Sequence, residues 1–546
     1  MAERGDRDTG GLPRRSVLAG LGVAGITGTA GCISADDVAV DGDAEELIAD
    51  GFREEGVEPP VEATIYANSE SDERVEWAQL VAHELNATGL FDVGFESLEL
   101  RSYIDLVDNM AENEANALIC FGFIGGWDPH AYVYSAFHSD SATPNGHNIT
   151  HYENETVDRL IDEGVETVDS HERVEIYEKL QERLVEDAPL SFVRAHEENV
   201  VYRADVVDGF RAYPVSGGEY TSLYAPTLGV YTELRTDADE LVGDVGAGIS
   251  SYDPTAIDDD VSRIVTGPIY EGLLEVDFDG RIRPLLATDW EQLDETTWRF
   301  ELREDVRFHT GEPFTAADVQ ATLERYEDTP RERAVFEWYD DVEIRDGHEL
   351  DLHLRRPYGP LETTLGQLPI VPESVADGEY DLSNRPIGTG PYVFDEHDED
   401  QYWRMKANPD HWHDGSGGVP ETPPIETVTF RIVTEPSARH GAIARGDVHL
   451  STALSGESVA AFASDDEYVV DRTTGAAVDF LGYPIYREPF TNPKVRRGIS
   501  RLIPRERIVE DVFHGAGRVA YTPISPLHDE FVSPAFESEL VDEYFS

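Results

Sequence analysis

Histidine is the first residue type here whose spacing invites a chemical reading. His130, His138, His147 and His151 fall close together and could ligate a metal. Their intervals fit no zinc template, and His147 and His151 stand in a polar Asn/Gly/Thr loop, so they are expected at the surface with no metal bound. No GxSxG, HExxH or P-loop pattern occurs, and no nucleophile has an identifiable base partner. The chain is therefore expected not to be an enzyme and to hold no cofactor. Gly20 to Gly25 formally matches GxGxxG, but no strand precedes it and no βαβ unit surrounds it, which excludes a nucleotide site there. Asn86, Asn148 and Asn154 begin N-glycosylation sequons, a weak signal on their own.

The first residues read as an address. Arg14 and Arg15 precede an uncharged, small and apolar run from Val17 to Ala30, too short to span a bilayer, and Gly31-Cys32 follow. The paired arginines match a twin-arginine export signal, and Thr29-Ala30-Gly31-Cys32 resembles a lipobox in which Cys32 becomes lipidated. The expected location is extracytoplasmic, on the outer face of the cell membrane. Cys120, inside the apolar run 117–123, is expected to be a buried small hydrophobe.

Composition bears on solvent more than on substrate. Asp and Glu number 111 against 42 Lys and Arg, a formal charge of −69, and the only lysines are Lys179, Lys406 and Lys494. Yet 40% of residues are hydrophobic, so the chain can build cores. Self-repulsion of this size loosens a compact state in dilute buffer, whereas in molar salt the Debye length falls to about 3 Å and screens it. Such a surface looks like that of a halophilic, haloarchaeal-like protein and excludes nucleic acid as a partner.

The elements that must position any site follow from periodicity. Helices are expected over 44–55, 74–85, 102–112, 154–165 and 171–187, and strands over 61–67, 91–98 and 117–123. Strand and helix alternate as in a parallel α/β lobe, and the wholly apolar 117–123 suits a sheet covered on both faces. Strands are expected at 190–193 and 200–201. Beyond residue 240 come short strands at 298–302, 306–309, 350–354, 390–394, 402–406 and 428–433. A helix over 315–326 opens on Thr315 with Asp318 three residues on, and helices return at 494–502 and 505–513.

Gly267 to Val319, with its YEGLLEVDFDGRIRPLLA and DWEQLDETTWRFELREDVRFHTGEPFTAADV segments, resembles the signature of the peptide/nickel solute-binding proteins of ABC transporters, family 5. Ile387 to Phe394 (IGTGPYVF), Ala407 to Trp412 (ANPDHW) and 495–513 fit the same family in its order. Residues 61–85, 119–139, 152–161 and 173–189 resemble that family's closing half, yet they come first here. A circular permutation accounts for both observations. It implies a signal over 1–31, a tether over 33–43, the family's C-terminal half over 44–226, a linker over 227–239 and its N-terminal half over 240–546. Residues near Tyr544 are then expected close to Ala44.

The resemblance implies an α/β fold of two lobes with mixed sheets, of the periplasmic-binding-protein type (class II), closing on a ligand between them. One lobe is expected to be 240 to about 475 plus the strands after Leu190, the other 44–189 plus about 478–546. It also implies capture of an oligopeptide-like or other small solute by a monomer, and delivery to a permease with its separate ATPase subunit. Metal or nickel binding by the same fold, or an exported hydrolase, remain the alternatives. For the cleft, Trp127 is expected to stack on a ligand or simply to pack. Asp128 corresponds to the family's Asp-Pro turn. Tyr252, Asp253 and Asp258 belong to a loop lining the cleft or to a solvated turn. Gly388 and Thr389 mark a close backbone approach, and Trp403 and Trp412 either wall the pocket or fill core. The stretch 267–319 is expected to supply scaffold more than ligand contacts.

Overall fold

A computed structural model describes residues 41–546 apart from 113–115, 144–145, 237, 258, 377, 384, 400 and 546. Arg14, Arg15 and Cys32, with the export signal and lipobox read on them, lie outside the described residues, as does Asp258. No described helix is long and apolar enough to cross a membrane.

Two long antiparallel strands, Leu190–Arg203 and Tyr468–Gly482, organise the molecule. They pair from Tyr468↔Arg203 to Thr474↔Glu197, lose register, and resume from Val478↔Ala195 to Gly482↔Leu190. Each side of that break carries its own hydrophobic clusters, so the pair runs from one lobe into the other. The break itself is crowded. A Cβ on Gly475 would stand 2.8 Å from a Glu198 carboxylate oxygen, and the Ser525 hydroxyl donates to the Gly475 carbonyl at 2.5 Å.

The first lobe extends the sheet through Ala117–Phe123, Val61–Asn68 and Phe91–Leu98. The last two strands run parallel to each other, as do Val61–Asn68 and Ala117–Phe123. Parallel neighbours need crossovers, which the helices Asp72–Ala87 and Leu100–Asp108 supply on either side of the Phe91–Leu98 strand. Helices Glu155–Glu166 and Ser170–Asp187 pack on one another, each opened by a side-chain cap from Asn154 or Asp169. Cys120 is free and buried. Asn148 is fully buried and donates to the His138 and Tyr152 carbonyls, Asn86 bonds the Val93 backbone, and Asn154 serves as a helix cap.

The second lobe continues the sheet on the far side of Leu190–Arg203 through Leu450–Ser451, Glu240–Val245, Thr427–Ile432, Tyr402–Ala407 and Tyr392–Asp398. A separate four-stranded antiparallel sheet, in the order Ala287–Asp294, Thr297–Leu302, Glu349–Leu354, Tyr339–Asp346, packs on the helix Ala316–Glu324. That helix carries the expected capping box: the Thr315 N–H donates to Asp318 at 2.7 Å, and the Asp318 N–H meets the Thr315 side chain. Residues 306–309 form no strand; Arg307 makes only an isolated bridge to Pro313 in a tight turn. Residues 505–513 form one turn of α-helix followed by a π-helical stretch, Ile508–Val512, in place of the continuous helix expected.

Both ends of the described chain meet one helix, Pro493–Leu502. Gly498 admits the N-terminal helix Gly42–Glu55 so closely that a Cβ would fall 2.4 Å from Ile48 and 2.8 Å from the Ala44 carbonyl. Arg501 pairs with Asp41 at 3.2 Å. From the other end, Tyr544 and Phe545 share a shallow depression with Arg497 and Ser500.

Candidate ligand-binding cleft

A cavity of about 390 Å³ opens beside the register break, with Gly125 and Trp127 from the first lobe on one wall and residues 254–276 of the second on the other. The loop that brings Trp127 there leaves the end of the Ala117–Phe123 strand. Gly125 presses it against the crossing strand, where a Cβ would come within 2.1 Å of the Ala476 carbonyl oxygen. Only glycine fits such an approach.

Trp127 spans the cleft. Its indole N–H donates to the Tyr213 hydroxyl at 3.0 Å, and that hydroxyl donates onward to the Val276 carbonyl at 2.7 Å. The two rings meet edge to face, 5.5 Å between centroids, and the turn at Gly280 approaches the indole within 3.2 Å of where a Cβ would stand. The tryptophan is 7% exposed, so in this conformation it packs while also lining the cavity.

Asp128, its neighbour, turns away from the cavity. It accepts two hydrogen bonds from Arg173, at 2.6 and 2.8 Å, and one from the His130 backbone. Burial alone would raise its pKa, but the Arg173 charge and hydrogen bonds outweigh that and hold it below the usual carboxylate range. Asp253 is likewise occupied by a two-pronged pair with Arg325 and by Thr255. Tyr252 bonds His397 through its hydroxyl; its neighbours Pro254 and Ile257 line the cavity instead.

Gly388 packs against the Ile269 carbonyl, 2.2 Å from where a Cβ would sit, in a backbone approach with no room for a side chain. Thr389 donates to Glu271 at 2.7 Å, and the Trp412 indole N–H donates to the same carboxylate at 3.1 Å, beneath an Arg303 guanidinium 4.1 Å from its ring. His411 reaches Glu271 at 3.2 Å. These side chains form the layer behind Glu271, and Glu271 faces the cavity. Trp403 is fully buried between Phe394 and Phe430, away from the cleft. Of the residues singled out from sequence, Trp127 alone lines the cavity among those described; Thr389 and Trp412 act through Glu271.

Tyr213, Tyr270, Glu271 and Glu275 also line the cavity, and none was expected there. Glu271 and Glu275 belong to the stretch 267–319 read as scaffold. One signal was present: in Leu274-Glu275-Val276 a charged residue sits between two that are buried. Burial, with the charges of Glu271 and Asp277 and against a hydrogen bond from Thr227, pushes Glu275 up to about 7. Glu219, in the loop forming another wall, is pushed up to about 8, chiefly by burial. Two arginines complete the lining: Arg263 pairs with Asp260 at 3.2 Å, and Arg331 donates to the Pro254 carbonyl at 2.8 Å. Among the described residues, no group of three or more His, Cys, Asp or Glu is placed to hold a metal ion.

Residues 281–539 match the family model described as bacterial extracellular solute-binding proteins, family 5 Middle. The chain is similar to the glutathione-binding protein GsiB of Salmonella typhi, 24% identical over 296 residues, covering 53% of this chain and 57% of the relative. GsiB of Escherichia coli O1:K1 / APEC is 24% identical over 310 residues, 55% and 59% of the two chains. The chain thus spans little more than half the length of these curated relatives. Among solved structures, DppA from Helicobacter pylori in complex with the peptide STSA gives a TM-score of 0.46 at 24% identity, covering 56% of this chain and 65% of that one. NikZ from Campylobacter jejuni in complex with Ni(L-His) gives 0.38 at 22%, covering 42% and 46%. The chain is thus similar, over residues 281–539, to the middle of family 5 solute-binding proteins, within a two-lobed α/β fold with mixed sheets.

Proposed function

We propose that this chain captures a small, oligopeptide-like solute by lobe closure and hands it to an ABC permease. The cavity of about 390 Å³ beside the strands that join the lobes carries this reading. Its size lies in the range of small-molecule sites, about 300–1,000 Å³. Its walls come from both lobes, so a bound solute would hold them together. The similarity to GsiB, named for glutathione, and to DppA, solved with the peptide STSA, supports a peptide-like ligand. Calorimetry with defined peptide pools in molar salt tests it. Saturable binding is expected, and heat-silent titrations across the pools would overturn it.

The location proposed is extracytoplasmic, with export through the Arg14-Arg15 signal and a lipid on Cys32. Replacing Cys32 by serine should release the protein from the membrane fraction; retention would contradict the anchor. The acidic surface supports function in brine.

A circularly permuted order is proposed as well. The region matching the family's middle occupies the last half of the chain, and both ends of the described chain pack on the helix Pro493–Leu502. A rearranged gene placing 240–546 ahead of 44–236 should yield a folded protein with the same ligand affinity; loss of folding in two linker lengths would count against it.

A further inference from the structure

The strand Leu274–Val276 places at the cavity a glutamate that pairs with no arginine or lysine among the described residues. Leu274 and Val276 are buried in the lobe, so alternation turns Glu275 to the other face. Arg283 stands opposite it in the hairpin, but its guanidinium reaches along to Asp277, at 2.7 and 2.9 Å. Glu275 takes a hydrogen bond from the Thr227 hydroxyl. Glu271, also at the cavity, is held by Thr389, Trp412 and His411. Neither carboxylate forms an ion pair with an arginine or lysine among the described residues, in a chain where Asp128, Asp253, Asp277 and Asp479 each have an arginine.

We propose that Glu275, with Glu271 beside it, forms the subsite for a positively charged group of the solute, an ammonium or a guanidinium. The inference rests on the solute-binding reading of the cleft and adds the charge class of its ligand. Two neighbouring carboxylates with no arginine or lysine paired to either repel each other, and a cation between them relieves that cost. The Tyr213 and Trp127 rings, which meet edge to face and line the same cavity, add aromatic surface that a cation there could approach.

Proton linkage follows from the surroundings. Burial and the charges of Glu271 and Asp277 keep Glu275 protonated up to about pH 7. The other groups facing it are Arg283, engaged with Asp277; the Tyr213 hydroxyl; His411 behind Glu271; and Glu362 on the neighbouring helix Leu361–Leu365, which accepts from Trp290. A cation favours the ionised carboxylate, so affinity should rise with pH through about 7 and level off above.

The test is calorimetry on the purified protein in molar KCl at pH 6 and pH 8, using tri-alanine, N-acetyl-tri-alanine, alanyl-arginyl-alanine and spermidine. The cationic probes should bind roughly 10-fold more tightly than the acetylated one, and gain several-fold between the two pH values. Glu275→Gln should remove the preference and the pH dependence. Glu275→Lys should reverse the preference, which keeps the test sharp if the glutamine variant folds poorly. Equal affinity for acetylated and free tri-alanine, unchanged in Glu275→Gln, overturns the inference and leaves solute binding standing. Binding of none of the probes overturns the inference, and the solute-binding reading falls with it only if no solute co-purifies with the protein.

Discussion

Two carboxylates, one in each lobe, have opposite surroundings. Asp479 lies just past the register break of the crossing strand and is 2% exposed. Arg194 meets it at 2.9 Å, His196 at 3.0 Å and Arg74 at 3.6 Å, and Arg194 also stacks on Phe513 and donates to the Ala516 carbonyl. Burial alone would raise its pKa; the neighbouring His196 and Arg194 instead drive it far below the ordinary carboxylate range. Glu275 faces other acids and is held near neutrality. The first carboxylate is complete within the protein and ties the two crossing strands together. The second is complete only with a positive group from outside. A buried charge with its partners present is structure, and one without them in a cavity is a candidate for recognition.

Mutation should separate the two most strongly at Asp479. Asp479→Ala leaves Arg194 and His196 facing each other without a counter-ion, and a loss of about 3–5 kcal/mol is expected in denaturant titration at molar salt. A loss under about 1 kcal/mol would remove the contrast. Glu275→Gln should move the other way. A glutamate whose pKa is raised on folding is most stabilising while protonated, and that stability is lost as pH climbs from its unfolded value through about 7. The variant should therefore match the parent near pH 4.5 and exceed it by about 1–2 kcal/mol at pH 8, after allowance for solvent at the cavity wall. For Asp479 the sign is opposite. A depressed pKa means stability present above the unfolded value and lost only as the pH falls below it, so acid unfolding should shift to higher pH in Asp479→Asn.

Smaller effects sharpen the comparison across the cleft. Trp127→Phe removes the hydrogen bond to Tyr213 while keeping a ring, and should weaken ligand binding by several-fold with about 1 kcal/mol lost in stability. Trp412→Phe removes one donor from Glu271 and should cost about 0.5–1.5 kcal/mol, with ligand affinity reporting whether Glu271 keeps its orientation.

Local signals in the sequence located most elements. Leu47, Ile48 and Phe52 mark the first helix, the apolar 117–123 run marks a sheet strand covered on both faces, and Thr315 with Asp318 marks a capped helix. Leu190–Arg203 was legible only as two fragments. Its middle, His196 to Asn199, is polar and half-exposed and includes the point where the ladder to Tyr468–Gly482 loses register, so the β pattern breaks there. The site was less legible still. Asp128 and Asp253 have the residue type for ligand contact, but arginines distant in sequence, Arg173 and Arg325, occupy them. Tyr213 reaches the cavity through long-range packing that no local spacing encodes, and the alternation at Leu274-Glu275-Val276 marks Glu275 as facing away from the core without showing the cavity it meets.

Mass spectrometry of the solute released on denaturing protein purified in molar salt tests the central claim most directly. One small solute carrying an ammonium or guanidinium, at about one equivalent per chain and absent from Glu275→Lys, is the predicted result. Protein that carries no solute, and whose scattering profile does not change when peptides are added, would contradict the account.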